Sequence, residues 1–236
     1  MYKIPDKLKT NVRYIRSYED YLDSDLYGAT FPNQVVLDVE TTGLDPFAGD
    51  EVFAIGLGML VDDYIYIITY NVNDLDMFNM FKWVLLNPFI TKIGHNIKFD
   101  LQMCAQSDIV VNGDFDCTLL MSRLFFRDQP AFGLKTLGKL VTGVNYTDAG
   151  WDDGLKVYLR KAKSASTREG HAPDTVNYSS VPWDIMQTYL ENDIWHTFIL
   201  YYVVSHTVKT EMLEAYTVDK GATWVAMAIE QRGIKV

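Results

Sequence analysis

Apolar residues recur along this chain with two periods, and the changes between them outline its elements. Residues 34–41 (QVVLDVET) make a Val-rich, strongly apolar run, the pattern of a central strand buried on both faces. Residues 12–15 make a shorter strand, and Ser17 with Asp20 three positions later starts a helix running to about Leu26. After a loop containing Gly43, Pro46 and Gly49, residues 51–60 and 64–70 form a hairpin that turns at Asp62 and Asp63. Helical spacing takes over at 75–86 and stops before Pro88. Residues 90–94 return to a short strand that leads into a helix from Ile97 to about Ala105.

Two further helices are expected over 116–126 and 133–141, a long one over 183–204 after Pro182, and a last one over 209–232 closed by Gly233. Residues 142–180 show weak periodicity and a tract rich in Lys, Ser, Thr and Gly, so a long, partly mobile connection is expected there. No segment repeats. Strands gathered early, with helices packed around them, predict an α/β domain.

Composition narrows the class. With 236 residues, 48% hydrophobic and 22% charged, the chain reads as a globular protein holding one generous domain, or one domain and the start of a second. No apolar run reaches the length needed to span a bilayer, and residues 1–16 are charged without a secretory core, so a cytoplasmic protein with no membrane partner is expected. Cys104 and Cys117 match no zinc spacing and read as reduced, buried thiols.

The net charge of −10 argues against long-range, non-specific gripping of DNA. The cations are uneven, however. Residues 155–171 carry Lys156, Arg160, Lys161, Lys163 and Arg168 against Glu169 alone, a local +4 that leaves −14 for the rest. That segment is either a solvated loop or a surface near an entering strand.

The candidate chemistry lies in four short segments. Asp38 and Glu40 are two apart on the apolar strand, so they project side by side from one face. Carboxylates placed there repel each other and lose hydration, which costs stability unless a cation joins them. Two solvated acids at a strand end are the bland alternative. In GHNIKFDL, Asn96 and Asp100 share a face at a helix start, and in YLEND, Tyr189 and Asp193 lie one helical turn apart. Asp116 is the weakest candidate, and a helix cap explains it equally well. Oxygen-only ligands on a strand and two helices suit Mg²⁺ or Mn²⁺, and four carboxylates balance two such ions. Two ions about 3.5–4 Å apart can clamp the attacking and leaving oxygens of an in-line phosphoryl displacement.

The ordered set Asp38 and Glu40, Asp100, and Tyr189 with Asp193 resembles the three exonuclease motifs of the DnaQ-like, four-acid (DEDD) superfamily, tyrosine branch. More narrowly, VVLDVETTGLD, HNIKFD, the Gly133 to Leu137 run GLKTL and YLEND are similar, in order, to the proofreading domain of family A (polymerase I-like) DNA polymerases of phage type. The likeness extends over most of residues 13–205. It implies a ribonuclease H-like fold with a central mixed β-sheet flanked by α-helices. The implied activity is a metal-dependent 3′-5′ exodeoxyribonuclease acting on single-stranded DNA 3′ ends by two-metal catalysis and releasing nucleoside 5′-monophosphates. An RNA-trimming exonuclease of the same superfamily and a catalytically silent strand-holding module are the alternatives.

The resemblance also implies roles. Asp38, Glu40 and Asp193 would hold the tighter metal, with Asp38 bridging to a second ion assisted by Asp100. Tyr189 would orient the attacking water. Thr41 and Leu44 would contact the terminal nucleotide, Asn96 the strand's sugar or backbone, and Phe99 a second base or the core. His95 and His196 are expected to stay outside the chemistry, since hard ions prefer oxygen. Trp151, Trp183 and Trp195 read as core. Residues 218–236 resemble the helix that opens a polymerase domain, which divides the chain into an exonuclease domain over 1–207 and a truncated polymerase-like helix over 208–236. The expected partner is that polymerase domain, in cis or in trans, with the chain itself a monomer.

Overall fold

The computed structural model describes residues 4–144, 153–168 and 178–233. At its centre is a six-stranded mixed sheet built from β1 (Val12–Ile15), β2 (Gln34–Thr41), β3 (Val52–Val61), β4 (Tyr64–Asn71), β5 (Thr91–Gly94) and β6 (Phe115–Cys117). The strand order is β1-β4-β3-β2-β5-β6. β3 runs antiparallel to both β2 and β4, while β5 lies parallel to β2, β6 to β5, and β1 to β4. The β3–β4 turn falls at Asp62, whose positive φ of 54° closes the hairpin expected from the sequence.

Helices cover both faces. On one side α2 (Tyr18–Leu22), α3 (Leu75–Leu86) and α4 (Ile97–Gln106) pack on the odd-numbered residues of β2 and β3. Leu37, Val39, Ile55 and Leu57 meet Phe81, Leu85, Met103 and Cys104 there. Local chemistry starts two of these helices: Ser17 accepts from the amide of Asp20, and Asp74 accepts from the amide of Met77.

On the other side α5 (Thr118–Phe125), α6 (Leu134–Thr142), α8 (Trp183–Glu211) and α9 (Leu213–Gln231) enclose a second core. Val36 and Ala54 meet Leu190, Ile194 and Ile199 in it. Strand alternation therefore puts Asp38 and Glu40 on the α8 side, the side of Val36. The short α1 (Lys7–Thr10) adds Leu8 to that core, and Trp195 bonds to the Leu8 carbonyl.

Three expectations are revised. Within the segment read as a mobile connection, residues 153–168 form a helix, α7 (Asp153–Arg168). Its weak signal reflects few apolar positions: Leu155 is buried, with Tyr158 and Leu159 beside it, and most other described residues are exposed. The remainder of that segment, including Trp151 and His171, lies partly outside the described residues. Secondly, Asp116 starts no helix, because Phe115–Cys117 is a three-residue edge strand and α5 begins at Thr118. So short a strand, joined to a helix without a turn residue, carries no periodicity of its own. Thirdly, the long helix expected over 183–204 continues to Glu211.

Both cysteines are free and buried, and Trp183 and Trp195 are partly buried against the second core. Among the described residues no helix is long and apolar enough to cross a membrane.

Candidate active site

β2 delivers the first two acids. Its antiparallel register with β3 sets Asp38 opposite Gly56 and Glu40 opposite Ala54, then slips between Glu40 and Thr41. Such a bulge bends the strand just past its functional side chains, here turning the chain into the 42–50 loop. α8 crosses β3 at its glycines. A Cβ on Gly56 would lie 2.9 Å from side-chain atoms of both Leu190 and Ile194, and one on Gly58 only 2.5 Å from Ile194 Cγ2. Without those side chains α8 seats against the sheet, bringing Asp193 to β2.

Ligand oxygens of Asp38, Glu40 and Asp193 all lie within 4.8 Å of one another. Glu40 and Asp193 are buried and Asp38 is partly buried. Asp100 comes from the opposite face, on the first turn of α4. It is 3% exposed, and its Oδ1 accepts from the Val39 amide at 3.3 Å. Acids far apart in the chain thus converge on one strand.

Burial pushes the carboxyls of Asp38 and Glu40 well above the usual range, and their acidic neighbours push them further. Burial likewise raises Asp100, to about 7, against the pull of two backbone hydrogen bonds. Four acids with so little water favour either protons or cations. Their oxygen-only donor set and close spacing fit a hard divalent ion.

Tyr189 lies one turn before Asp193 on α8. Its phenol is raised by burial first, and then by Asp193, Glu40, Tyr178 and Asp38. The hydroxyl therefore keeps its proton and is available as a donor. Arg16 anchors this stretch of α8, donating to both carboxylate oxygens of the buried Glu191 at 2.6 and 2.7 Å.

The residues expected to contact substrate are spread around this cluster. Thr41 is buried and its hydroxyl donates to the Gly43 carbonyl at 2.6 Å. Asp50 organises the following loop by accepting from the Asp45 amide, and Leu44 projects from it with 84% of its surface exposed. Asn96 precedes α4 as its left-handed N-cap, φ 67°, and is exposed whereas Asp100 is buried, so the two do not share a helical face as their spacing predicted. Phe99 is partly buried against the first core.

Both histidines are built into the frame. His95 is held between the Thr118 hydroxyl and the Phe132 carbonyl, each at 2.9 Å, and burial lowers it to about 4. His196 donates from Nδ1 to the Asn192 carbonyl, and burial also lowers it to about 4. Gly138 makes room for it: a Cβ there would sit 2.4 Å from the His196 ring.

Asp116 stands apart from the cluster. It accepts from the hydroxyls of Tyr201 and Tyr216 and from Lys209, tying β6 to α8 and α9. Its role is structural. The site also includes a residue that motif and spacing left without a role. Lys135, in the GLKTL run, holds its ammonium 4.5 Å from the centre of the Tyr189 ring, and its charge pulls the Glu40 carboxyl back down. Its only sequence signal was membership of that run.

Two phage proteins called DNA polymerase DpoZ are similar in sequence. The one from Salmonella phage PMBT28 is 26% identical over 165 residues, covering 68% of this chain and 24% of the relative. The one from Acinetobacter phage SH-Ab 15497 is 23% identical over 215 residues, covering 87% and 32%. The chain thus spans about a quarter to a third of the length of these polymerases. Among solved structures, Brucella melitensis NrnC bound to pGG aligns with TM-score 0.61 at 18% identity over 94% of each chain. The same protein with bound Mg²⁺ gives 0.59 at 17% over 95% of each. Trypanosoma brucei RNase D gives 0.51 at 16%, over 84% of this chain and 66% of its own. These likenesses establish the ribonuclease H-like fold. Residues 19–203 match the 3′-5′ exonuclease family of the DNA polymerase A type, which covers all four acids and Tyr189, and the chain belongs to that family.

Proposed function

We propose that this chain removes nucleotides from the 3′ end of single-stranded DNA as the proofreading part of a family A polymerase, using two divalent cations, Mg²⁺ or Mn²⁺. One observation carries the reading: oxygens of Asp38, Glu40 and Asp193 converge within 4.8 Å beside Asp100 and Tyr189. Asp38, Glu40 and Asp193 would hold the tighter cation and Asp100 would assist the second. Bound there, divalent cations supply Lewis-acid stabilisation of charge at the phosphate.

The remaining work belongs to side chains. Tyr189 keeps its proton and donates a hydrogen bond that aims the attacking water along the line of the leaving 3′ oxygen. The exposed Leu44 offers an apolar surface for the terminal base, with Thr41 near the root of its loop and Asn96 at the sugar or backbone. Phe99 backs the site from the core. The polymerase domain acts in cis or in trans, as the phage relatives suggest.

RNA trimming is the second reading. It is favoured by the likeness to NrnC bound to pGG along nearly the whole chain, and by the likeness to RNase D, solved in complex with RNA U12. Matched DNA and RNA oligonucleotides, 5′-labelled and incubated with Mg²⁺ or Mn²⁺, test both readings. Proofreading expects stepwise loss of mononucleotides from DNA, abolished by Asp38→Ala. Faster trimming of RNA than DNA would replace it with the second reading, and no release from either strand would reject both.

A further inference from the structure

The cationic helix α7 is absorbed by none of this chemistry, yet it is seated beside the site. Leu155 is 2% exposed and packs with Val181 and Met186 in a small apolar cluster. Tyr189 packs against that same cluster, together with Tyr158 and Leu159. The Tyr158 hydroxyl also donates to the Ser180 carbonyl at 2.7 Å, fixing α7 to the residues that lead into α8. One face of α7 is therefore held near the catalytic tyrosine.

Its other faces are cationic. Lys156, Arg160 and Lys163 are exposed and recur at i, i+4 and i+7, which aligns them in one stripe along the helix. Lys161 and Arg168, seven apart, make a second exposed stripe. Lys156 directly follows the buried Leu155, so the first stripe starts beside the apolar cluster against which Tyr189 packs. Seven residues of helix cover about 10 Å. That is about three nucleotides at a stacked-strand spacing of about 3.4 Å.

We propose that α7 is the track for the single strand behind the scissile bond, with Lys156, Arg160 and Lys163 pairing with successive phosphates. The inference builds on the exonuclease reading and adds to it a length requirement. Charge segregation supports the placement: residues 155–171 carry +4 in a chain of net −10, so attraction for phosphate is concentrated on this surface. The contact is to phosphates, which DNA and RNA share. A dinucleotide fills the site without reaching the track, whereas a dodecamer reaches all of it.

The test separates binding from cutting. Binding of fluorescein-labelled dT12 is followed by anisotropy between 50 and 200 mM salt in an uncut Asp38→Ala background, with and without Lys156→Ala/Arg160→Ala/Lys163→Ala. Losing three phosphate contacts makes the slope of log affinity against log salt shallower by about 2, a difference of about 20-fold across that range. U12 is expected to respond alike. Replacement of the exposed Lys9, Lys82 and Arg127 by alanine controls for net charge and leaves the slope unchanged. Lys156→Arg/Lys163→Arg preserves it too, which separates lost charge from a damaged helix.

In the chain with Asp38 intact, the triple alanine variant keeps its turnover of dT2 and raises KM for dT12. No binding in the background protein, an unchanged slope in the triple variant, or an equal loss in the control each overturns the track. If the intact chain cuts nothing while the slope still falls, the exonuclease reading fails and the strand-binding surface stands.

Discussion

Gly58→Ala places one methyl group where α8 lies against the sheet. The new Cβ would sit 2.5 Å from Ile194 Cγ2 and 3.4 Å from Val36 Cβ, so relief must come from the first contact. Ordinary van der Waals contact begins near 3.5 Å, which requires α8 or Ile194 to retreat by about 1 Å. Ile194 Cγ2 branches directly from Cβ on a helix, where the side chain has little rotamer freedom, so the backbone must share the shift. Overpacking of this kind costs about 1–3 kcal/mol, or about 2–12 °C of melting temperature in a domain of this size.

The same displacement carries Asp193, the neighbour of Ile194, away from Asp38 and Glu40. A misplacement of about 1 Å at a reacting centre costs about 10²-fold in rate. The decisive assay is a double-mutant cycle. Ile194→Ala alone should cost about 2–5 kcal/mol by leaving a cavity, and the methyl of Gly58→Ala should partly refill it. Urea unfolding of the four proteins should give a coupling energy of about 1–2 kcal/mol, with part of the exonuclease rate restored in the double variant. Strictly additive stabilities would refute the idea that bare glycines on β3 set the depth of α8.

Metal should stabilise the fold: Mn²⁺ raises the melting temperature of the native chain, and Asp38→Ala removes most of that rise, as calorimetry can check. Without metal the pH dependence has a definite sign. Asp100 in the folded state titrates near 7, above its ordinary 3.8, so the native state binds more protons between these values and stability falls as pH rises through that window. The loss attributable to Asp100 is a few kcal/mol, about 1.4 per pH unit; in EDTA, Asp100→Asn should flatten the profile, and an unchanged slope would count against it. Tyr189→Phe should slow single-turnover hydrolysis about 100-fold while sparing the metal-induced rise in melting temperature, as the proposed water-orienting role requires. Lys135→Met should lower kcat about 2- to 30-fold, the worth of a cation–π contact of about 0.5–2 kcal/mol, and Lys135→Arg should recover most of it.

Much of this was written in the linear pattern. The Val-rich apolar run of β2 announced a central strand, and period-two spacing put Asp38 and Glu40 on one face before any fold was known. The hairpin at Asp62, the helix start at Ser17 and the one-turn pairing of Tyr189 with Asp193 are local features. Each is fixed by bonding and sterics within a few residues, so the chain order alone displays them.

Tertiary structure decided what no window of sequence contains. Gly56 and Gly58 matter only because α8 crosses β3 at those positions, and Asp116 proved a tie between β6, α8 and α9 because its three donors come from nearly a hundred residues away. Lys135 acquired a neighbour in Tyr189 through the packing of α6 on α8, and the sparse helix α7 was placed by a few apolar contacts that carry almost no periodic signal. The physical reason is one of range: propensity and alternation are set by nearest neighbours, whereas close approach and electrostatic coupling depend on which distant surfaces the buried core brings into contact.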